Sequence, residues 1–331
     1  MNFQEINKKN TPFIIAEIGN NHEGNFNTAV KLIYAAKNSG VDAVKFQTFK
    51  TEYYVNNLEK KRFKKLKKFE LTKEQFVKLS IIAKKNKLKF ISTPFDLQSA
   101  NFLKKIVNIF KISSGDNNYF DLIKKVFKYG KPTIISTGLT EITDLKNIIQ
   151  LAKKKKFNLK KLAMLHCVSS YPVEDKNANL KSIRFMQKRL PVTIGYSDHT
   201  LGMAASLTAV SLGAKIIEKH FTLDNNYSNF RDHKLSLNPK NMKLMVSEAK
   251  KIPNMLGKEN KKPNKTELKT LNQMRRSIYA KKDLKKGDIL LVDDLKIVRP
   301  FVYLKPNDIE KILGKKIKKN VKSGYPINLK K

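Results

Sequence analysis

Two histidines close two apolar runs. Val192-Thr193-Ile194-Gly195-Tyr196-Ser197-Asp198-His199 and Lys215-Ile216-Ile217-Glu218-Lys219-His220 each read as a short buried strand, with a helix-like stretch between them. That is a βαβ unit whose parallel strands both end in imidazole. Neighbouring parallel strands lie about 4.8 Å apart, so the two rings can converge on one divalent metal acting as a Lewis acid at an open site. The chain has five histidines in all, and two fall at equivalent positions. The alternative is a pair of satisfied core histidines.

Other apolar runs carry polar residues at the same end. Glu17, Lys45 and Gln47, Ser92 and Thr93, Lys111 with Ser113 and Ser114, Ser136, His166, Ser169 and Tyr171, Ser197, Asp198 and Glu218 all follow short apolar stretches. A lysine inside an apolar strand is costly unless paired or useful. Lys45 and Lys111, accompanied by small hydroxyls, describe a phosphate or carboxylate site. A structural ion-pair network with Glu17, Asp198 and Glu218 is the other reading. Asp198, beside His199, is either a group that orients the imidazole or a structural carboxylate. His166 reads as structural, and Cys167 as a packed small apolar residue. Asn21 and His22 read as loop residues that shape the mouth of the site.

The elements that would position these groups alternate regularly. Strand candidates are 13–19, 42–48, 89–95, 109–115, 132–138, 162–167, 192–198 and 215–221, with helix-like stretches such as 27–39, 73–86, 119–129, 141–155 and 201–212 between them. Eight βα units over about 250 residues predict an α/β fold of the TIM (β/α)8 barrel type, with the active site at the C-terminal strand ends. A doubly wound sheet is disfavoured by the absence of a Gly-x-Gly-x-x-Gly fingerprint. The barrel is expected over 1–250. The stretch 251–272 is polar, contains Pro253 and Pro263 and reads as a linker. Residues 273–331 read as a small β-rich domain with strand-like segments at 277–280, 289–292 and 295–299 and a turn at 285–288.

Bulk composition narrows the class. The formal charge of +40 invites a nucleic-acid reading, but only seven of the 68 basic residues are arginine, and dedicated nucleic-acid binders favour arginine forks. No specific nucleic-acid partner is expected. The lysines read as solvated helix faces, with salt-sensitive polyanion binding as a side effect. A single cysteine excludes an internal disulfide and suits a reducing compartment. No apolar stretch reaches a membrane span, and residues 1–11 lack the apolar core of a signal peptide. The expectation is cytoplasmic, with no membrane partner.

The ordered set Ala16-Glu17-Ile18-Gly19-Asn20-Asn21-His22-Glu23-Gly24, Val44-Lys45-Phe46-Gln47-Thr48, Ser92-Thr93-Pro94-Phe95, Phe110-Lys111-Ile112-Ser113-Ser114-Gly115, Ser136-Thr137-Gly138, Tyr196-Ser197-Asp198-His199-Thr200 and Glu218-Lys219-His220-Phe221 resembles the sialic acid synthase family almost end to end. That family includes N-acetylneuraminate synthases and the related legionaminic and pseudaminic acid synthases. The C-terminal segment, with Arg299-Pro300, resembles the family's antifreeze-like SAF domain.

The resemblance implies condensation of phosphoenolpyruvate with an N-acetylated mannose-type sugar to give a nine-carbon 2-keto sugar acid and phosphate. It implies that Lys45, Thr93, Lys111, Ser114, Ser136, Ser169 and Ser197 hold phosphoenolpyruvate. Glu17, Gln47, Tyr171 and Asp232 would meet sugar hydroxyls or the attacking water. His199 and His220 would hold Mn²⁺ or Mg²⁺. It further implies a homodimer in which the SAF domain of one subunit covers the partner's barrel and Arg299 reaches the acyl group.

Three departures from the family pattern stand out. Ser169 replaces an Asn found in some members, Asp116 replaces a Glu, and the approach to Asp232 is bulkier than the usual Gly-Pro. Two other readings compete: a non-catalytic polyanion-binding barrel, and a related phosphoenolpyruvate–sugar phosphate condensing enzyme. An obvious second phosphate-binding arginine cluster, which the latter would need, is not apparent in the sequence.

Overall fold

A computed structural model describes residues 2–329. The chain divides between Gly257 and Lys258 into two compact units. In the first, eight parallel strands close into a barrel in sequence order. They are β1 (Phe13–Gly19), β2 (Ala43–Thr48), β3 (Lys89–Pro94), β4 (Ile109–Ile112), β5 (Thr133–Ser136), β6 (Leu162–Cys167), β7 (Thr193–Asp198) and β8 (Ile216–His220). β8 pairs with β1 in register Ile15 with Glu218 and Glu17 with His220, which completes the ring.

Strand side chains alternate between faces with a period of two, and that arithmetic builds the site. Ile15, Ala43, Ile91, Ile109, Ile134, Leu165 and Ile216 form one apolar cluster inside the barrel, closed below by Phe3 and Ile6 of the helix Phe3–Lys8. Two residues further along each strand, the same inward face presents Glu17, Lys45, Thr93, Lys111, Ser136, Cys167 and Glu218. The outward residues between them, such as Ala16, Val44, Phe110 and Ile217, pack against the helices in the larger core. The interior layer is tight enough to demand glycine on β7. A Cβ at Gly195 would lie 2.4 Å from the Ile216 carbonyl oxygen and 2.6 Å from Leu165 Cδ2.

Some boundaries differ from the sequence reading. β4 stops at Ile112, and Ser114–Asp116 turns into a 3-10 helix. The polar stretch 251–272, which reads as a linker in the sequence, is mostly helical. The helix Pro239–Leu256 runs through Pro253 and buries Ile252, while Asn264 caps a second helix, Lys265–Met274. Only 257–264 lacks helix. Pro253 has no N–H to donate to the Ala249 carbonyl, so the helix runs through it at the cost of one intrahelical hydrogen bond.

The second unit pairs β9 (Ser277–Ala280) antiparallel with β10 (Leu295–Val298). Its core gathers Ile278, Leu284, Leu290, Leu295, Ile312, Ile317 and Ile327. The segment 289–292, expected as a strand, makes a single bridge from Ile289 to Lys316 and then a 3-10 turn, Val292–Asp294. Its Leu290 faces the core, whereas Ile289, Leu291 and Val292 are exposed. Among the described residues, no helix is long and apolar enough to cross a membrane.

Candidate active site

The C-terminal mouth of the barrel opens into a cavity of about 830 Å³. All thirteen site residues expected from the barrel sequence line it: Glu17, Lys45, Gln47, Thr93, Lys111, Ser114, Ser136, Ser169, Tyr171, Ser197, His199, His220 and Asp232. Arg299, the remaining one, lies in the second unit just past β10 and is exposed.

The floor is a cluster of buried charges. Lys45 Nζ sits 2.9 Å from Glu17 Oε1 and 3.6 Å from Glu218 Oε1, and Lys111 Nζ sits 3.0 Å from that same Glu218 oxygen. The Ser197 hydroxyl donates to it as well, at 3.0 Å. Burial opposes ionisation of Glu218, but the two ammonium groups outweigh it and hold the carboxyl at about 2. Glu17 goes the other way. Burial raises its pKa, and the charge on Glu218 adds to the rise despite Lys45. Two neighbouring carboxyls are thus pushed apart in acidity, the pattern that divides acid–base roles. Gln47 donates to Glu17 at 3.2 Å and accepts from Asn20 at 2.9 Å, which fixes its amide.

A hydroxyl cradle adjoins the lysines. The backbone N–H of Gly138 donates to Ser114 Oγ at 3.1 Å, and the Asn117 amide donates to the carbonyls of Gly138 and Ser136. A Cβ at Gly138 would fall 2.3 Å from Ser169 Oγ and 2.8 Å from Ser114 Oγ, so glycine keeps this wall open. Buried polar atoms without a protein partner collect here: Ser136 Oγ, Ser169 Oγ, Glu17 Oε2, Glu218 Oε2 and His220 Nδ1. Buried polar atoms are ordinarily satisfied, so these describe a cavity shaped for a polar guest.

The histidine pair meets as expected, with ring centroids 5.4 Å apart. The Val168 carbonyl lies 2.8 Å from His199 Nδ1, so that nitrogen carries the proton and leaves Nε2 with a free lone pair. Burial, then the neighbouring cationic groups, hold His220 well below the ordinary imidazole value. A neutral imidazole of this kind can ligate a metal. His199 shifts the other way: burial lowers its pKa, but the Cys167 contact and the Val168 carbonyl outweigh it. Asp232 Oδ2 is 4.0 Å from His220 Nδ1. Among the described residues, no group of three or more His, Cys, Asp or Glu could hold a metal ion. The pair would therefore supply two ligands and leave the other positions to water or substrate. Tyr171 packs on His199 at 4.1 Å between centroids, and the Arg231 guanidinium lies 4.6 Å over the Tyr171 ring.

The remaining polar residues separate cleanly. Asp198 faces outward and is fully buried, paired with Lys219 at 3.1 Å and accepting from Ser206 and Thr200. It is a structural carboxylate, and the backbone of Val168 orients His199 instead. His166 donates to the Ala178 carbonyl at 2.9 Å and is structural. His22 accepts from the Gly24 N–H, and burial lowers its pKa to about 4. Asn21 ties the β1 loop to the Phe221 carbonyl and Ser236. Cys167 departs from the expectation of a merely packed residue. It lines the cavity with Sγ 3.7 Å from His199 Nδ1, and although burial raises its pKa, His199, Ser114 and Lys111 together bring it below the ordinary thiol value.

The sequence reading missed the rim. The helix Lys60–Phe69 follows β2 and brings Lys61, Arg62 and Lys65 to the cavity, opposite Asn229, Phe230 and Arg231. Its end is seated tightly: a Cβ at Gly24 would come 2.0 Å from the Lys68 carbonyl oxygen, and Phe69 meets Phe230 edge-on at 5.2 Å. The signal was available, since a long insertion after a barrel strand must lie on the catalytic face.

Comparison with known proteins agrees with this geometry. The NeuB family model matches residues 32–261, and the SAF domain model matches 275–331. The chain is 39% identical to the N,N'-diacetyllegionaminic acid synthase of Campylobacter jejuni, over 93% of this chain and 96% of that one. It is 34% identical to the N-acetylneuraminate-9-phosphate synthase of Homo sapiens, over 92% of this chain and 88% of that one. A crystal structure of the N-acetylneuraminic acid synthetase of Leptospira borgpetersenii superposes with a TM-score of 0.74 at 35% identity, covering 79% of this chain and 90% of that one. With its charged cavity at the mouth of an eight-stranded barrel and a SAF domain after it, the chain belongs to the NeuB family of sialic acid-type synthases.

Proposed function

We propose that the protein condenses phosphoenolpyruvate with the open-chain aldehyde of an N-acetylated mannose-type hexose, either N-acetylmannosamine or a 2,4-diacetamido-2,4,6-trideoxyhexose. The observation that carries this reading is the convergence, in one cavity, of two buried ammonium groups, a hydroxyl cradle with open hydrogen-bonding capacity and a pair of adjacent histidines. Lys45, Lys111, Thr93, Ser114, Ser136, Ser169 and Ser197 are assigned to the phosphate and carboxylate of phosphoenolpyruvate. Gln47, Tyr171 and Asp232 are assigned to sugar hydroxyls. His199 and His220 fit a divalent cation, Mn²⁺ or Mg²⁺, which when bound would polarise the aldehyde oxygen.

The bonding changes balance without a redox partner. Carbon 3 of phosphoenolpyruvate attacks the aldehyde carbon, and the aldehyde oxygen gains a proton. Water adds to carbon 2 and loses a proton, a task assigned to Glu17. The tetrahedral product then breaks its carbon–oxygen bond to phosphate, leaving the 2-keto acid. A homodimer, with Arg299 of one subunit against the acyl group bound to the other, is part of this proposal.

The test is phosphate release from phosphoenolpyruvate with Mn²⁺ and each sugar in turn. Release that requires one sugar, slows with chelator and returns with Mn²⁺ is expected. Release without any sugar, or none with the whole panel by folded protein, would remove the reading. The cradle gives a sharper check. Gly138→Ala places a methyl against two serine hydroxyls, and kcat/KM for phosphoenolpyruvate is expected to fall about tenfold. An unchanged value would detach the cradle from this substrate.

A further inference from the structure

The rim helix Lys60–Phe69 has two unlike faces. Outward, Lys67 pairs with Glu52 at 2.6 Å and Glu70 at 3.3 Å. Toward the cavity, Lys61, Arg62 and Lys65 have no carboxylate partner among the described residues. Lys61 and Lys65 are four apart and Arg62 and Lys65 three apart, the spacings that make side chains neighbours on one side of a helix. Arg62 is held 5.7 Å from the Tyr54 ring centroid and Lys65 4.6 Å from that of Phe230, so aromatic faces rather than acids position them.

The charge balance of the cavity singles out the same three residues. Each acid lining it already has a cation: Glu17 has Lys45, Glu218 has Lys111, and Asp232 has Arg231 at 3.3 Å. The rim cations are the uncompensated positive charge of the site. They stand on a loop insertion above the strand ends, whereas Lys45 and Lys111 lie on the strands themselves.

We propose that Lys61, Arg62 and Lys65 form a second anion-binding site at the cavity mouth, separate from the buried lysines, whose ligand is a phosphomonoester dianion. The inference rests on the synthase reading only for the source of that group. The phosphate of incoming phosphoenolpyruvate is one source, and a phosphate ester on the acceptor sugar is the other. Unpaired cations at the mouth of a low-dielectric cleft focus field on such a ligand and raise its local concentration. The cluster thereby provides a second phosphate-binding group, built from one arginine and two lysines.

The experiment is equilibrium titration of the full chain with phosphoenolpyruvate, N-acetylmannosamine 6-phosphate and inorganic phosphate at two salt concentrations. Wild type is compared with the triple variant Lys61→Gln, Arg62→Gln, Lys65→Gln. The residues are exposed, so the variant should fold, and its circular dichroism is the control. Binding weakened about tenfold and less salt-sensitive is expected. Weakening confined to phosphoenolpyruvate and inorganic phosphate assigns the site to the donor. Weakening confined to the sugar phosphate assigns it to the acceptor. Equal affinities in both proteins for all three ligands, or no binding of any of them by wild type, would overturn the proposal. Because only binding is read, a wild type that binds phosphoenolpyruvate yet releases no phosphate would count against the synthase reading alone.

Discussion

Lys111→Met is expected to lower turnover about a thousandfold and to cost the fold about 3 kcal/mol. Lys111 Nζ is 3.0 Å from Glu218 Oε1, while the other nearby ammonium, Lys45, is 3.6 Å away and shared with Glu17. Removing Lys111 leaves a buried carboxylate with the Ser197 hydroxyl and one distant, divided cation, and breaking a buried pair costs far more than the pair is worth. The double variant Lys111→Met, Glu218→Leu should therefore recover most of the lost stability while staying inactive. That separates a binding role from a merely structural one. Urea denaturation and phosphate release read the two effects. A single variant that keeps turnover within tenfold of wild type would remove Lys111 from the substrate site. The pH dependence has a definite sign. With its folded pKa held at about 2, Glu218 contributes stability that is complete above the ordinary 4.5 and fades as pH falls through about 2. Lys111→Met should flatten that part of the stability curve.

The barrel was legible because its signal is repeated. Each strand is an apolar run with polar residues in or just after its C-terminal half, and the structure puts all eight in order. The site followed from period-two geometry: Glu17, Lys45, Lys111 and Glu218 each stand two residues beyond an interior apolar residue. The same rule shows why Asp198 was ambiguous. It is one residue out of phase with Ser197, so it turns outward to Lys219, and a parity count would have separated the two. The rim helix was hidden for another reason. Its sequence, KKRFKKLKKF, looks like any solvated lysine-rich face, and only tertiary placement shows which cations lack acids. The helix Lys265–Met274 escaped because none of its residues is buried and its stripe of Leu268, Leu271 and Met274 spans too few turns for the periodicity to stand out. In the SAF domain, 289–292 has the composition of a strand, but only Leu290 of the four is buried.

Glu17→Gln is expected to lower kcat about a thousandfold while changing the affinity for phosphoenolpyruvate little. Three observations support the proposed proton-accepting role of Glu17. Its Oε2 is buried in the cavity and has no protein partner. Its Oε1 is occupied by Lys45 at 2.9 Å and Gln47 at 3.2 Å, which fixes the direction of the free oxygen. Its pKa is raised by burial first and by the neighbouring Glu218 charge second, and a base nearer working pH accepts a proton more effectively. Glutamine keeps the shape and can still accept from Lys45, so binding should survive where proton transfer does not. The sign of the pH effect follows from the direction of the shift. A base with a raised pKa must deprotonate to act, so the ascending limb of kcat in wild type should lie above pH 4.5. In Glu17→Gln the residual rate should lose that limb. A Glu17→Gln enzyme that retains both the limb and the rate would place the base elsewhere. A loss that appears in KM for phosphoenolpyruvate rather than in kcat would recast Glu17 as a binding residue that holds Lys45 in position. Glu17→Asp separates these cases, because a shorter carboxylate keeps the limb at a reduced rate if the group moves a proton.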